Sequence, residues 1–231
     1  MNVQEATTRR LPDLKERHLP ENCRETINTI LKETYGYEQF RNLEIYDDLS
    51  KGKEKLCISQ GQLIENVILE AEKAWKSETQ VDNILLTAPT GSGKSLLFQL
   101  PAIYLGKEYN LLTIVVSPLK ALIVDQVESL QELGYARVAY ASSDLSPEQK
   151  MEVYRQVREG EIDLFYLSPE LLLSYDIKHF VGERRIGLVV VDEAHTVTTW
   201  GKEFRVDYWF LGRYLTALKQ TLGYNFPLFA L

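Results

Sequence analysis

Residues Asn83–Ser95, reading NILLTAPTGSGKS, combine types and spacing suited to holding a phosphate group. The apolar run Ile84-Leu85-Leu86 has strand character, the glycine-rich turn follows it, and an apolar-periodic helix opens near Lys94. A strand, a turn of backbone N–H groups and a helix N-terminus form an anion cradle, because the helix dipole leaves about half a positive charge at its start. Gly91 and Gly93 let the main chain come close to a phosphate, with Thr90 and Ser92 completing the turn. Lys94 can reach the outer phosphates and the Ser95 hydroxyl can ligate Mg²⁺. About a hundred residues later the apolar run Leu188–Val191 ends in Asp192-Glu193-Ala194-His195. Two carboxylates directly after a buried strand must be paired or bound to a cation. Opposite Lys94 and Ser95, Asp192 would hold Mg²⁺ through water and Glu193 would orient and polarise an attacking water, the positioning that phosphoryl transfer asks of a protein. His195 either packs at a helix start or links this site to a neighbouring domain.

The elements that must position these groups are legible around them. Pro20 precedes a helix carrying Ile27, Ile30 and Leu31, which Gly36 ends, and Gln60–Lys76 repeats Ile64, Val67, Ile68, Ala71 and Trp75 at helical spacing. Between them Asn42–Lys55 is polar and reads as an exposed loop or insertion. After the phosphate turn, apolar strands at 111–117, 137–141, 162–167 and 186–191 alternate with helices at 119–133, 147–158 and 205–222, and Pro169–Leu173 forms a helical turn. Such alternation indicates an α/β fold, a mainly parallel sheet covered on both faces. In such sheets ligands bind beyond the carboxyl ends of the strands. The expected division is a helical N-terminal extension over 1–80 and a nucleotide-binding unit over 81–231.

The composition narrows the classes. The chain has 231 residues, 45% apolar and 26% charged, as in a globular protein. No apolar run approaches the roughly 20 residues of a membrane span, and Met1–Arg10 lacks a signal-peptide core, so a cytoplasmic protein without a membrane partner is expected. Cys23 and Cys57 have no spaced ligand partners and read as reduced thiols. A net charge of −7 does not by itself favour nucleic acid, although a local basic patch would.

Taken together, APTGSGKS (Ala88–Ser95) and DEAH (Asp192–His195) resemble the superfamily 2 helicases, Ala88 standing where the strict phosphate-loop pattern has glycine. The surrounding residues are similar to the RecQ-like DNA helicases: Ser117-Pro118-Leu119 with Asp125-Gln126-Val127, Tyr166 with Ser168-Pro169-Glu170, Trp200-Gly201 with Phe204-Arg205, and Gly36-Tyr37-Glu38-Gln39-Phe40-Arg41. The resemblance implies a RecA-like first motor domain of an ATP-dependent DNA helicase using ATP and Mg²⁺, bacterial members being nucleoid-associated. It implies that Tyr37 stacks on adenine and Arg41 packs beside it. The family's adenine-reading Gln would fall at Glu44, whereas Gln62 suits the downstream half of that motif, and both assignments stand open. Trp200, Lys202, Phe204 and Arg205 would form a stacking and phosphate-contact loop for single-stranded DNA, each stacked base contributing about 1–3 kcal/mol. Ser117, Pro118 and Ser168 would grip the DNA backbone or cap helices. Thr199, Lys202, Glu203 and Val206 depart from the family pattern in that loop. Phe226–Leu231 reads as a strand stopping where the family continues into a Ser/Thr-Ala-Thr motif. A second motor domain with an arginine finger is therefore expected elsewhere in the full-length chain, and this piece alone is expected to bind nucleotide weakly. An RNA helicase, a duplex DNA translocase and a nucleotide-gated scaffold of a DNA-processing or defence complex are the alternatives.

Overall fold

The computed structural model describes residues 20–46, 55–78, 80–88, 91–194 and 206–231. The first helix, α1 (Glu25–Tyr35), buries Ile27, Ile30 and Leu31, and Gly36 closes it at φ 69°. There follow β1 (Asn42–Tyr46), β2 (Lys55–Ser59), α2 (Gln60–Trp75), β3 (Ile84–Leu85), α3 (Leu96–Tyr109), β4 (Leu112–Val116), α4 (Lys120–Glu132) and β5 (Val138–Ala141). The second half contains α5 (Pro147–Arg158), β6 (Leu164–Leu167), α6 (Pro169–Ser174), α7 (Ile177–Val181), β7 (Ile186–Val191), α8 (Val206–Leu222) and β8 (Leu228–Ala230).

Six strands form one sheet in the order β3-β8-β7-β4-β6-β5, every pair parallel. The central strands are buried along their length because both faces are covered. Alternate residues feed opposite cores: Val115, Leu188 and Val190 pack with α1, α2, α3 and α4, whereas Ile114, Val116 and Val189 pack with α5, α7 and α8. Helices α1 and α2 therefore share a core with the sheet.

The structure departs from expectation in three places. The polar stretch 42–55 is not a simple loop, because its ends pair as an antiparallel ladder from Asn42↔Ser59 to Tyr46↔Lys55, with Leu43 and Ile58 buried. Few apolar residues at period two sufficed, and the intervening polar ones masked them. Helix α7 was not anticipated, being five residues long, with the Asp176 carboxylate accepting from the Lys178 N–H. Trp75 is 38% exposed rather than core, its ring covered by the Arg185 guanidinium at 4.6 Å from the ring centre. Among the described residues no helix is long and apolar enough to cross a membrane.

Candidate nucleotide site

Strand β8 brings the two chemical segments together. It lies between β3 and β7, the Leu86 N–H bonds to the Ala230 carbonyl at 2.9 Å, and the Leu231 N–H bonds to the Val191 carbonyl at 3.0 Å. The chain thus leaves β3 toward the glycine turn, and leaves β7 toward Asp192, at the same rim of the sheet, about 10 Å apart by ordinary strand spacing. Lys94 lies close enough for its charge to act on the Asp192 carboxyl. Its Nζ donates to the Ala88 carbonyl at 3.3 Å across the turn.

The described part of the turn, from Gly91 onward, has two features suited to a phosphate. Gly91 and Gly93 take φ of +81° and +77°, values that L side chains rarely adopt. The Ser92 hydroxyl is buried without a hydrogen-bond partner among the described residues, a polar atom that a phosphate oxygen or its hydration shell would satisfy. Ser95 stands at the head of α3 with its side chain unused as a cap, and its carbonyl accepts from the Phe98 and Gln99 N–H groups. Its hydroxyl is therefore compatible with a cation. Thr90 lies outside the described residues, as do His195, Trp200, Lys202, Phe204 and Arg205.

Asp192 is 5% exposed. Burial first, then the neighbouring Glu193 charge, push its carboxyl above the ordinary 3.8, against the Glu193 N–H, Lys94 and the Ser117 hydroxyl. A cation beside it would reverse that shift. Glu193 sits at φ +53°, in the left-handed region unusual for a side chain, and its N–H bonds to Asp192 Oδ1 at 3.0 Å. Backbone held there is commonly found where geometry serves a site.

Gln60 and Gln62 are both hydrogen-bonded within the protein. Gln62 is committed to the start of α2: its Oε1 accepts from the Ser59 N–H at 3.0 Å and its Nε2 donates to the Pro20 carbonyl at 3.2 Å. It completes a capping box and is not directed at a base. Gln60, two residues earlier and 2% exposed, accepts from the Arg41 N–H at 3.2 Å and donates to the Ser92 carbonyl at 3.1 Å. It joins the Tyr37–Arg41 segment to the phosphate turn, and a Cβ at Gly93 would stand 2.7 Å from its Nε2. The signal was present in the sequence: Leu63, Ile64, Val67 and Ile68 stand three, four, seven and eight residues after Gln60, so their buried face dates the helix from that residue. Glu44 lies on β1, exposed.

Tyr37 is 51% exposed and stacks on Tyr35 with ring centres 6.3 Å apart and planes 17° from parallel. Arg41 is exposed beside it, whereas Phe40 fills the space over Gly61, where a Cβ would meet it at 2.7 Å. At the opposite side of the rim, Ser117 and Pro118 are buried and do not offer side chains to a polymer. The Ser117 hydroxyl instead bonds to Asp192 Oδ2 at 3.4 Å, because β4 lies beside β7 and Ser117 directly follows the last residue of β4, as Asp192 follows the last residue of β7. The Ser168 hydroxyl accepts from the Leu171 N–H and caps α6. What is exposed on this edge is Leu119 and Lys120, the lysine bonded to Ser143 and, at 3.0 Å, to Asp144.

Residues 69–223 match the family described as DEAD/DEAH box helicase. The ATP-dependent DNA helicase RecQ of Synechocystis sp. is 34% identical over 202 residues, covering 87% of this chain and 35% of that protein. The RecQ helicase of Haemophilus influenzae is 30% identical over 187 residues, 81% of this chain and 25% of that protein. Among solved structures, the helicase MrfA bound to DNA superimposes with a TM-score of 0.57 at 21% identity, over 93% of this chain and 27% of that one, a likeness of fold alone. A RecA-like parallel sheet with a glycine turn and Asp192-Glu193 at one rim defines the P-loop class of fold. The chain belongs to the DEAD/DEAH box helicase family, and its sequence is RecQ-like within it. It spans between a quarter and about a third of the length of those two relatives.

Proposed function

We propose that this chain is the ATP-binding first motor domain of a RecQ-like DNA helicase, in which ATP hydrolysis drives movement along single-stranded DNA and separation of strands. The observation that carries this reading is that the segments bearing Lys94 and Ser95 and bearing Asp192 and Glu193 follow β3 and β7 at one rim, next to a serine hydroxyl without a partner among the described residues and two positive-φ glycines. In this reading the N–H groups of residues 91–95 and the Lys94 ammonium hold the phosphates. Ser95 and Asp192 hold Mg²⁺, which when bound neutralises phosphate charge and stabilises the leaving oxygen. Among the described residues no group of three or more His, Cys, Asp or Glu could hold a metal ion. Magnesium needs no such group, since it is commonly held by one or two carboxylates together with water and substrate phosphates. Glu193 orients water for attack on the terminal phosphorus and receives its proton. Tyr37 stacks on the base, Arg41 flanks it, and Gln60 ties that side to the phosphate turn.

The length of the relatives supports placing a second motor domain, with its arginine finger, in the remainder of the full-length protein; such a finger is worth about 10³–10⁵ in rate. Trp200, Lys202, Phe204 and Arg205, with Lys120 and Ser168, form the proposed DNA-facing edge. The test has two stages. A fluorescent Mg²⁺–ATP analogue should bind this chain, and Lys94→Ala should weaken binding at least about tenfold. In the full-length protein, ATPase stimulation by single-stranded DNA should exceed that by RNA or by blunt duplex; stimulation by RNA or duplex alone would sink the DNA-helicase reading, while unchanged binding in Lys94→Ala would sink the site.

A further inference from the structure

Four polar side chains run in an unbroken line through the core that α1, α3, β6 and α4 share. The Tyr35 hydroxyl, in the last turn of α1, donates to Gln99 Oε1 at 2.9 Å. Gln99 Nε2 donates to the Tyr166 hydroxyl at 3.2 Å, and that hydroxyl donates to Gln126 Oε1 at 3.0 Å. Gln99 is 5% exposed and Tyr166 fully buried. Burial pushes the phenols of both Tyr35 and Tyr166 well above their ordinary 10, so both keep their protons at neutral pH. Each link joins two different elements, and each depends on distance and direction within a few tenths of an ångström. A satisfied buried line of this kind fixes one relative placement of the elements it joins, since displacing any of them strands a buried donor or acceptor.

Each member sits on an element that carries a part of the proposed machinery. The Tyr35 ring carries Tyr37. The Gln99 N–H bonds to the Ser95 carbonyl at 3.0 Å in the first turn behind the phosphate cradle. Tyr166 lies within the field of Asp192, and the strand that bears it continues to Leu167, whose carbonyl accepts from the Ser117 N–H at 3.2 Å. Gln126 sits in α4, which starts at Lys120 on the exposed edge.

We propose that Gln99, Tyr166 and Gln126 are positioning residues that transmit nucleotide occupancy from the Tyr37 side and the phosphate turn to α4 and the edge it presents. The proposal rests on the nucleotide reading above but needs no DNA for its test. Amide hydrogen exchange is measured with and without the Mg²⁺–ATP analogue in two segments, 91–98 and 120–132. In the parent protein, ligand slows exchange in both. Tyr166→Phe keeps the ring packed edge-on against Phe98, 6.4 Å between centres, and removes the one hydroxyl that serves both glutamines. Gln126→Leu, at a half-buried site, removes only the last link and guards against a variant that simply folds poorly. In both variants segment 91–98 should respond as before, while the ligand-dependent slowing in 120–132 falls at least about fivefold, the lower end of ordinary coupling. A purely structural role would speed exchange in 120–132 equally with and without ligand and leave the difference intact, which would overturn the proposal. So would a parent protein in which 91–98 responds and 120–132 does not. A parent protein in which neither segment responds would overturn the nucleotide reading itself.

Discussion

The side-chain amide of Gln60 reaches 32 residues along the chain to donate to the Ser92 carbonyl at 3.1 Å, while its oxygen accepts from Arg41. One buried side chain thus ties the Tyr37–Arg41 segment to the glycine turn, the two sides of the proposed nucleotide site. Gln60→Ala should therefore weaken nucleotide binding by about 5- to 100-fold, the equivalent of about 1–3 kcal/mol for a buried hydrogen-bonding group left unpaired. Gln62→Ala should leave affinity unchanged and lower stability by about 0.5–2 kcal/mol, because it removes only a helix cap. Titration with the nucleotide analogue, run beside denaturant melts, separates the two residues; equal loss of affinity in both variants would contradict the assignment.

Asp192 is costly to the nucleotide-free protein. Its carboxyl is raised above 3.8, first by burial and then by Glu193, so the folded state holds the ionised form less readily than the unfolded chain does. A raised carboxyl lowers stability above its folded value and ceases to do so as pH falls below its unfolded value. The penalty grows as pH rises through the interval between the unfolded and folded values. Asp192→Asn should therefore stabilise the nucleotide-free protein by about 0.5–2 kcal/mol while removing the Mg²⁺ dependence of nucleotide binding, the trade expected where a site is built for function. A melting temperature that falls in Asp192→Asn would show that the hydrogen bonds the carboxylate accepts, among them those from Ser117 and the Glu193 N–H, outweigh the cost of its burial.

The strands and most helices were legible because burial on both faces makes β4, β6 and β7 continuous apolar runs, and because α1, α5 and α6 carry their own punctuation in Gly36, Pro147 and Pro169. The strand ends that carry the glycine turn and Asp192-Glu193 were legible because each strand and the residues after it are contiguous in sequence. What escaped was set by partners distant in sequence. Nothing local distinguishes Gln60 from Gln62 until the buried face of α2 is counted, and nothing local shows that Ser117 faces Asp192 75 residues away. The β1–β2 pair escaped because only Leu43 and Ile58 of its described side chains are buried among polar neighbours.

At the opposite rim, Asp163 is wholly buried and accepts from Arg137 at 2.6 and 2.8 Å, from Arg184 at 2.9 Å and from the Tyr135 hydroxyl at 3.0 Å. Arg184 is itself only 4% exposed. Asp163→Ala would leave that guanidinium buried without its carboxylate, a loss of about 3–5 kcal/mol. Gly106→Ala should be as damaging, since a Cβ there would stand 2.2 Å from the Asp163 carboxyl carbon. Both variants should bind nucleotide normally at temperatures where they remain folded, because the cluster lies at the amino ends of the strands. Lost affinity in the folded variants would mean that this rim communicates with the site.

The Arg24 cluster gives the molecule a pH signature. Arg24 bonds to Glu65 at 2.6 Å and to Glu72 at 2.6 Å, and Glu72 also accepts from the Tyr109 hydroxyl at 2.9 Å. Burial alone would raise the Glu72 carboxyl, but the hydrogen bonds from Arg24 and Tyr109 outweigh it and hold the group below its ordinary 4.5. A depressed carboxyl contributes stability that is fully present above the unfolded value and is lost as pH falls through the folded one. Denaturant midpoints should thus be insensitive to this cluster from pH 8 to about 5.5 and fall below pH 4.5. Arg24→Met inverts the sign. Two carboxylates then lie buried without their cation, at a cost of about 3–5 kcal/mol at pH 7, and mild acid should restore part of the loss by protonating Glu72. Parallel pH profiles for the parent and Arg24→Met would show that the two glutamates find water or other cations, and that Arg24 does not hold the start of α1 onto α2.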